Sequence, residues 1–265
     1  MKGKYRLLAL LMASLVLTGC SKNYSRSYDK ALGLFADGDY AAAAEAFGRL
    51  GDYASSATYA AYSQGLVLYD QGQYSAAEPY FAQTQDFMYG GERYRYCHAH
   101  VLREQEQFQE AARIFKGLGD FENASLWYEY TNARAAETAL DYQTALWGYE
   151  AAMTLEDAED RLYNLRGLVY NRAIALKEQA NYAEAIPLFT MLGDYLSAAD
   201  QAVECKTYGL EAQYAHAEAL ENAGDLQGAF DLFIALSSYR DAESRAQMLA
   251  DKLGIEIPNG EKTFH

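Results

Sequence analysis

Small and aromatic residues recur along this chain at spacings that keep one face of a helix apolar, and the whole pattern then recurs. With Tyr40 as a marker, Ala43 lies three residues on, Phe47 seven and Tyr53 thirteen. The same four positions return as Tyr74, Ala77, Phe81 and Phe87, then as Phe108, Ala111, Phe115 and Phe121. They return again as Tyr142, Ala145, Tyr149 and Leu155, as Tyr182, Ala185, Phe189 and Tyr195, and as Leu226, Ala229, Phe233 and Tyr239. Steps of three and four put the alanine and the large residue on one helical face. Nine residues before each marker stands a small residue (Ala31, Gly65, Ala99, Ala133, Ala173, Ala217), as close approach of a second helix requires. Immediately before the markers stand Asp39, Gln73, Gln107, Asp141, Asn181 and Asp225, four of which are good helix N-caps. The pattern predicts six helical hairpins whose second helices start near 40, 74, 108, 142, 182 and 226. The two GDY tripeptides at 38–40 and 51–53 are therefore different places in one repeat. The first opens the second helix, and the second closes it and turns into the next repeat.

The markers lie 34, 34, 34, 40 and 44 residues apart. A 34-residue helix–turn–helix period resembles the tetratricopeptide repeat. In "YAAYSQGLVLYDQGQYSAAEPYF" (59–81), Gly65 is the small residue of the first helix, Gly72 the turn glycine, and Ala77 and Phe81 the core of the second. The resemblance covers roughly 28–245. It implies an all-α fold, a right-handed superhelical solenoid of about six repeats, with a concave face that binds extended segments. The proline that usually ends the unit is missing, and "LGDY" or "LGDF" stands there at 118–121 and 192–195. Pro79 and Pro187 fall inside predicted second helices, where each removes a backbone hydrogen bond. The longer last intervals predict extended helices around 156–179 and 196–223. Residues 239–254 read as a capping helix, which closes a repeat region of 28–253, and 254–265 as a tail. With only three prolines in 265 residues and abundant alanine, composition agrees with an all-helical chain.

The amino terminus carries a different signal. "MKGKYR" is basic, "LLALLMASLVLT" is an apolar run of 12 residues, and it ends in "LTGC", Leu17 to Cys20. Twelve apolar residues are too few to span a bilayer comfortably. The ending resembles the lipobox of bacterial lipoproteins, which implies a signal peptide over 1–19 and a lipidated Cys20. Acyl chains there would anchor the protein to a membrane on its extracytoplasmic side, the outer membrane in a Gram-negative cell. An ordinary secretory signal leaves a cysteine directly after two small residues unexplained. Residues 20–27, the lipidated cysteine and "SKNYSRS", read as a polar tether.

Charge and chemistry narrow the function. The formal net charge is −15, and removal of Lys2, Lys4 and Arg6 with the leader takes it to about −18. Such a surface repels nucleic-acid phosphates and anionic lipid headgroups, so neither is an expected partner. Three cysteines are too few for a disulfide framework, and Cys97 and Cys205 fall in distant repeats. No dinucleotide, P-loop, nucleophile-elbow or zincin motif occurs, and no catalytic residue, metal or cofactor is expected. Cys97 and His100 share a helix face, but two ligands make a poor metal site, and a buried thiol beside an incidental imidazole is the simpler reading. Trp127 and Trp147 read as core.

A column of tyrosines stands twelve residues before the markers: Tyr28, Tyr62, Tyr96, Tyr130, Tyr170 and Tyr214. Flanking it are Leu32, Leu66, His100, Arg134, Ile174 and Glu218 eight before the markers, and Phe35, Tyr69, Arg103, Glu137, Lys177 and Glu221 five before. Both flanking columns vary in polarity as exposed positions do. In the resembled family these positions line the concave groove, which implies ligand contacts from Tyr62, Tyr69, Tyr96, His100, Arg103, Tyr130, Arg134, Tyr170, Lys177 and Tyr214. The tyrosines have a second reading: a residue present in every repeat can be there because every repeat packs the same way, with the ring buried and the hydroxyl wet. Arg93, Arg95 and Arg103 are the densest basic cluster. They can hold a carboxylate or phosphate of a partner, or form a solvated face neutralised by Glu92 and Glu104. The expected function is a non-catalytic, membrane-anchored scaffold that binds an envelope protein or peptide, with no small-molecule ligand. Two alternatives are a role like the lipoproteins of outer-membrane protein assembly, and cell-wall glycan binding along the tyrosines.

Overall fold

The computed structural model of the chain describes residues 23–155 and 157–257. Among the described residues it is all-α, with thirteen consecutive helices that pack in neighbouring pairs. Helix α1 spans 23–36. It is followed by α2 Tyr40–Gly48, α3 Ser56–Asp70, α4 Tyr74–Ala82, α5 Gly90–Glu104, α6 Phe108–Leu118, α7 Ala124–Thr138 and α8 Tyr142–Ala151. Then come α9 Ala158–Glu178, α10 Tyr182–Leu192, α11 Ala198–Ala223, α12 Leu226–Leu236 and α13 Ala242–Leu253. The chain divides into two compact units, residues 1–159 and 160–265. In the first, each helix from α2 to α8 packs on the next; in the second, α10 to α13 do the same.

The predicted second helices start at the six markers. The expected long helices are α9 with 21 residues and α11 with 26, against 15 in α3, α5 and α7. Pro79 and Pro187 lie inside α4 and α10, and α13 is the expected terminal helix. Two details differ. Asp39, Asp141 and Asp225 cap their helices through the side chain, but Asn181 does not. Residues 23–27, expected as tether, are helical, because Tyr24 stacks on Tyr53 with ring centres 5.7 Å apart and draws the first turn into α1. Cys20 and the leader lie outside the described residues.

The core is the repeat pattern made solid. All the alanines three after the markers and all the small residues nine before them are buried, as are Phe47, Phe81, Phe115, Tyr149, Phe189 and Phe233. Gly65 shows why the first-helix position is small: a Cβ there would meet the Phe81 ring at 2.9 Å. A further small column, Ser56, Gly90, Ala124, Ala158, Ala198 and Ala242, begins the first helices and is also buried.

The connections repeat as closely as the helices. Each first helix closes with the paired hydrogen bonds of a Schellman turn, such as Asp39 N–H to Leu34 C=O and Gly38 N–H to Phe35 C=O. The left-handed residue is Gly38, Gly72 or Gly224 in three repeats, but Glu106, Leu140 and Ala180 in the others. The turn into the next repeat places Gly51, Gly119, Gly193 and Ser237 at equivalent positions with φ of 57°, 58°, 56° and 52°. Ser237 has ψ −117°, a conformation comfortable only for glycine. Ser237→Gly is therefore expected to stabilise the second unit by about 1 kcal/mol. Urea unfolding followed by circular dichroism checks this; an unchanged or lower midpoint contradicts it.

Candidate functional site

The tyrosine column belongs to the interior. Tyr62, Tyr96, Tyr130 and Tyr214 retain only 2 %, 2 %, 1 % and 5 % of their surface, and Tyr170 is half-buried. Each ring packs edge-on against the large residue of its own second helix: Tyr62 on Phe81, Tyr96 on Phe115, Tyr130 on Tyr149, Tyr170 on Phe189 and Tyr214 on Phe233. The hydroxyls reach forward by a constant 27 residues. Tyr96 donates to Asn123, Tyr130 to Asp157 at 2.6 Å and Tyr214 to Asp241, while Tyr170 pairs with Ser197 at 2.8 Å. Asn123, Ser197 and Asp241 are the N-cap residues of α7, α11 and α13, yet none uses its side chain to cap its own helix. Each instead accepts or shares the proton of a tyrosine from the preceding repeat.

The expectation that Tyr62, Tyr96, Tyr130 and Tyr214 line a ligand groove is therefore corrected: ring burial and the hydroxyl bond make them joints between successive repeats. Burial raises the pKa of Tyr62, Tyr96 and Tyr130, and the bond to Asp241 raises that of Tyr214, so all stay protonated; Tyr96, Tyr130 and Tyr214 donate, while the Tyr62 hydroxyl accepts from Arg93. The signal for the partner was in the sequence, as a mostly polar position 27 residues after each tyrosine. It was missed because a helix-face argument compares residues within one repeat.

His100 is likewise interior rather than a groove contact. Its ring is fully buried, stacked on Tyr74 at 4.0 Å and met edge-on by Phe115 and Trp127 at 5.1 and 4.6 Å. Burial first, and the charge of Arg103 second, lower its pKa to about 3. The thiol of neighbouring Cys97 is buried and pushed up to about 12 by desolvation, which makes it inert at neutral pH. Cys205 is a free thiol, buried as well. Trp127 is core as expected, but Trp147 is not: it stands 65 % exposed on α8.

What remains at the surface is the column five before the markers. Phe35, Tyr69, Arg103, Glu137, Lys177 and Glu221 are all half-buried, a uniform placement with no uniform chemistry. Arg103 lies over the Trp127 ring with its guanidinium carbon 4.4 Å from the centre. Arg134, from the column eight before the markers and also half-buried, lies over Phe108 at 4.4 Å. Lys177 bridges to Gln201 and Glu204 of α11 at 2.6 and 2.5 Å, and Glu204 raises its pKa. In the first unit the structure thus gathers Tyr69, Arg103 and Arg134 at half-buried positions, and in the second Lys177. A surface depression of about 610 Å³ between α1 and α2 is lined by Tyr24, Lys30, Leu34 and Arg49 and contains none of the predicted residues.

Among the described residues no group of three or more His, Cys, Asp or Glu side chains is placed to hold a metal, and no helix is long and apolar enough to cross a membrane. Compared with models of known families and with curated proteins, the chain matches none significantly.

Proposed function

We propose that this chain is a tetratricopeptide-like array carried on a lipid anchor at Cys20, and that it works as a non-catalytic scaffold for an envelope protein or peptide. The observation that carries the reading is the contrast between its columns. The small residues nine before the markers, the alanines three after them and the rings seven after them are buried in every repeat, while the half-buried column from Phe35 to Glu221 holds two aromatics, two cations and two anions. Although Arg103, Lys177 and Glu221 also meet partners within the chain, at Trp127, Glu204 and Arg245, packing by shape alone does not call for an aromatic, a cation and an anion at one structural position. A surface that reads a particular partner does. The leader pattern ending in Cys20 supports the envelope location.

The test is capture by the full-length chain in detergent from envelope extract of the source cells, beside a Tyr69→Ala, Arg103→Ala variant shown to fold by circular dichroism. A protein held by the wild type and lost by the folded variant is expected. Equal capture by both sinks the assignment of the column. Retention on purified peptidoglycan after protease treatment would favour the glycan-binding alternative instead. An assembly role like that of outer-membrane assembly lipoproteins predicts that the captured protein belongs to that machinery. Lipid labelling that persists in Cys20→Ser contradicts the anchor.

A further inference from the structure

The array contains its own comparison for an unusual arginine. Arg245 begins α13 in a complete setting: its guanidinium donates to the Tyr214 hydroxyl at 3.0 Å, to Glu218 at 2.6 Å and to Glu221 at 2.8 Å. Arg93 occupies the same register at the start of α5, 31 residues after Tyr62 as Arg245 is 31 after Tyr214. It makes the same first bond, to the Tyr62 hydroxyl at 3.0 Å. The two carboxylates are absent from its setting, because the positions that carry Glu218 and Glu221 in the last repeat carry Leu66 and Tyr69 here.

The place of the carboxylates is taken by an aromatic cup. The Arg93 guanidinium carbon lies 5.6 Å from the Tyr69 ring centre, 5.9 Å from Tyr62 and Phe121, and 5.8 Å from Tyr89. Ring faces partly stabilise the cation but offer no acceptor for the fork of N–H donors, and Nε is buried without a hydrogen-bond partner. Neither Glu92 nor Glu104, the expected neutralising neighbours, pairs with Arg93. Glu122 acts on Tyr69, Tyr74 and Tyr96 without an ion pair to Arg93. The cup is reachable, since Tyr89, which replaces the polar N-cap residue found in the other repeats, stands 63 % exposed at its rim.

We infer that Arg93 is a binding site for a carboxylate presented by the partner, with Tyr69, Tyr89 and Phe121 receiving the apolar group beside it. The ligand's carboxylate takes the place that Glu218 and Glu221 hold against Arg245. A planar guanidinium grips a carboxylate through two parallel hydrogen bonds, and the surrounding rings exclude water and strengthen them. In a chain this acidic, a cation set among rings with no ion-pair partner among the described residues selects a single carboxylate at a fixed place. This deepens the scaffold reading, and rests on it only for the ligand's being part of a protein or peptide.

The test uses the full-length chain in detergent micelles with 15N-labelled arginine, and follows the side-chain Nε–H resonances by NMR. The Arg93 resonance is assigned by its disappearance in Arg93→Gln. N-acetyl-phenylalanine, which has a carboxylate and a ring, is expected to shift it saturably in the millimolar range. The uncharged N-acetyl-phenylalaninamide is expected to leave it in place, as is Arg245 with either probe. Tyr69→Glu rebuilds one carboxylate of the last repeat and is expected to weaken the response at least tenfold. Equal shifts from acid and amide, or a matching shift at Arg245, overturn the site. Inorganic phosphate displacing N-acetyl-phenylalanine at lower concentration overturns the carboxylate in favour of a phosphoryl group. If Tyr69→Glu does not fold, the contrasts of acid against amide and of Arg93 against Arg245 still decide. Failure of capture from extract with these shifts intact removes the protein partner and leaves the site; the reverse removes the site alone.

Discussion

Phe115→Ala is expected to destabilise the first unit by about 3–5 kcal/mol, the usual range for emptying a fully enclosed aromatic site. Phe115 has no exposed surface, and rings surround it: Tyr96 at 5.6 Å, His100 at 5.1 Å and Trp127 at 6.2 Å. None of these neighbours is free to collapse into the gap. Tyr96 is tied by its hydroxyl to Asn123, His100 is stacked on Tyr74, and Trp127 lies under Arg103. In a stack where each repeat contacts only the adjoining repeats, the damage stays close to its source. Amide exchange should therefore accelerate in α5, α6 and α7 while α2 and α3 keep their protection. Urea unfolding and exchange mass spectrometry check the two halves of this expectation. A loss below about 1 kcal/mol would falsify the account of Phe115 as a fully enclosed core site.

His100→Leu should act in the opposite direction, and more strongly in acid. Both imidazole nitrogens are buried without a hydrogen-bond partner, a defect that typically costs about 1–3 kcal/mol. The equivalent positions hold Leu32, Leu66 and Ile174, so leucine suits the site. The folded pKa is about 3, against about 6.5 in an unfolded chain. The folded state therefore favours the neutral ring. Its contribution is complete above the unfolded pKa. It declines as pH falls toward the folded value, because the unfolded chain takes up the proton first, at up to about 1.4 kcal/mol per pH unit. Leucine has no proton to bind. The stability difference between variant and wild type should thus widen between about pH 7 and about pH 4.5. Urea titrations at the two pH values check this, and a difference that does not change with pH contradicts it.

Much of the architecture was legible because each repeat restates it. The alanines three after the markers and the small residues nine before them fixed the helix pairs without reference to any one repeat's noise. The extended α9 and α11 followed from counting. Local capping was less secure: Asn181 had the right chemistry, but its side chain makes no cap bond. The tyrosines could not be resolved from the sequence, since recurrence has the same appearance whether it serves a ligand or a joint. The deciding contact, a hydroxyl on the N-cap residue 27 positions ahead, becomes visible only when two repeats stand side by side. Trp147 failed for a related reason, because large apolar residues are read as core by type, whereas its place on α8 falls outside the buried columns. Arg93 was visible as part of a basic cluster. That it lacks the carboxylates of Arg245 required knowing which residues surround each guanidinium.

The central claim is that the tyrosine column joins successive repeats. The most direct measurement is thermal unfolding of the full chain with Tyr96, Tyr130 and Tyr214 all changed to phenylalanine, followed by circular dichroism. The substitution keeps every ring and removes only the three hydroxyls that reach Asn123, Asp157 and Asp241. Each lost bond comes from a buried tyrosine, two of them to a carboxylate, and is worth about 1–2 kcal/mol, so the midpoint should fall by several degrees with the helical signal intact below it. An unchanged midpoint would show that the hydroxyls hold nothing together, and the column would return to being a candidate surface for a ligand.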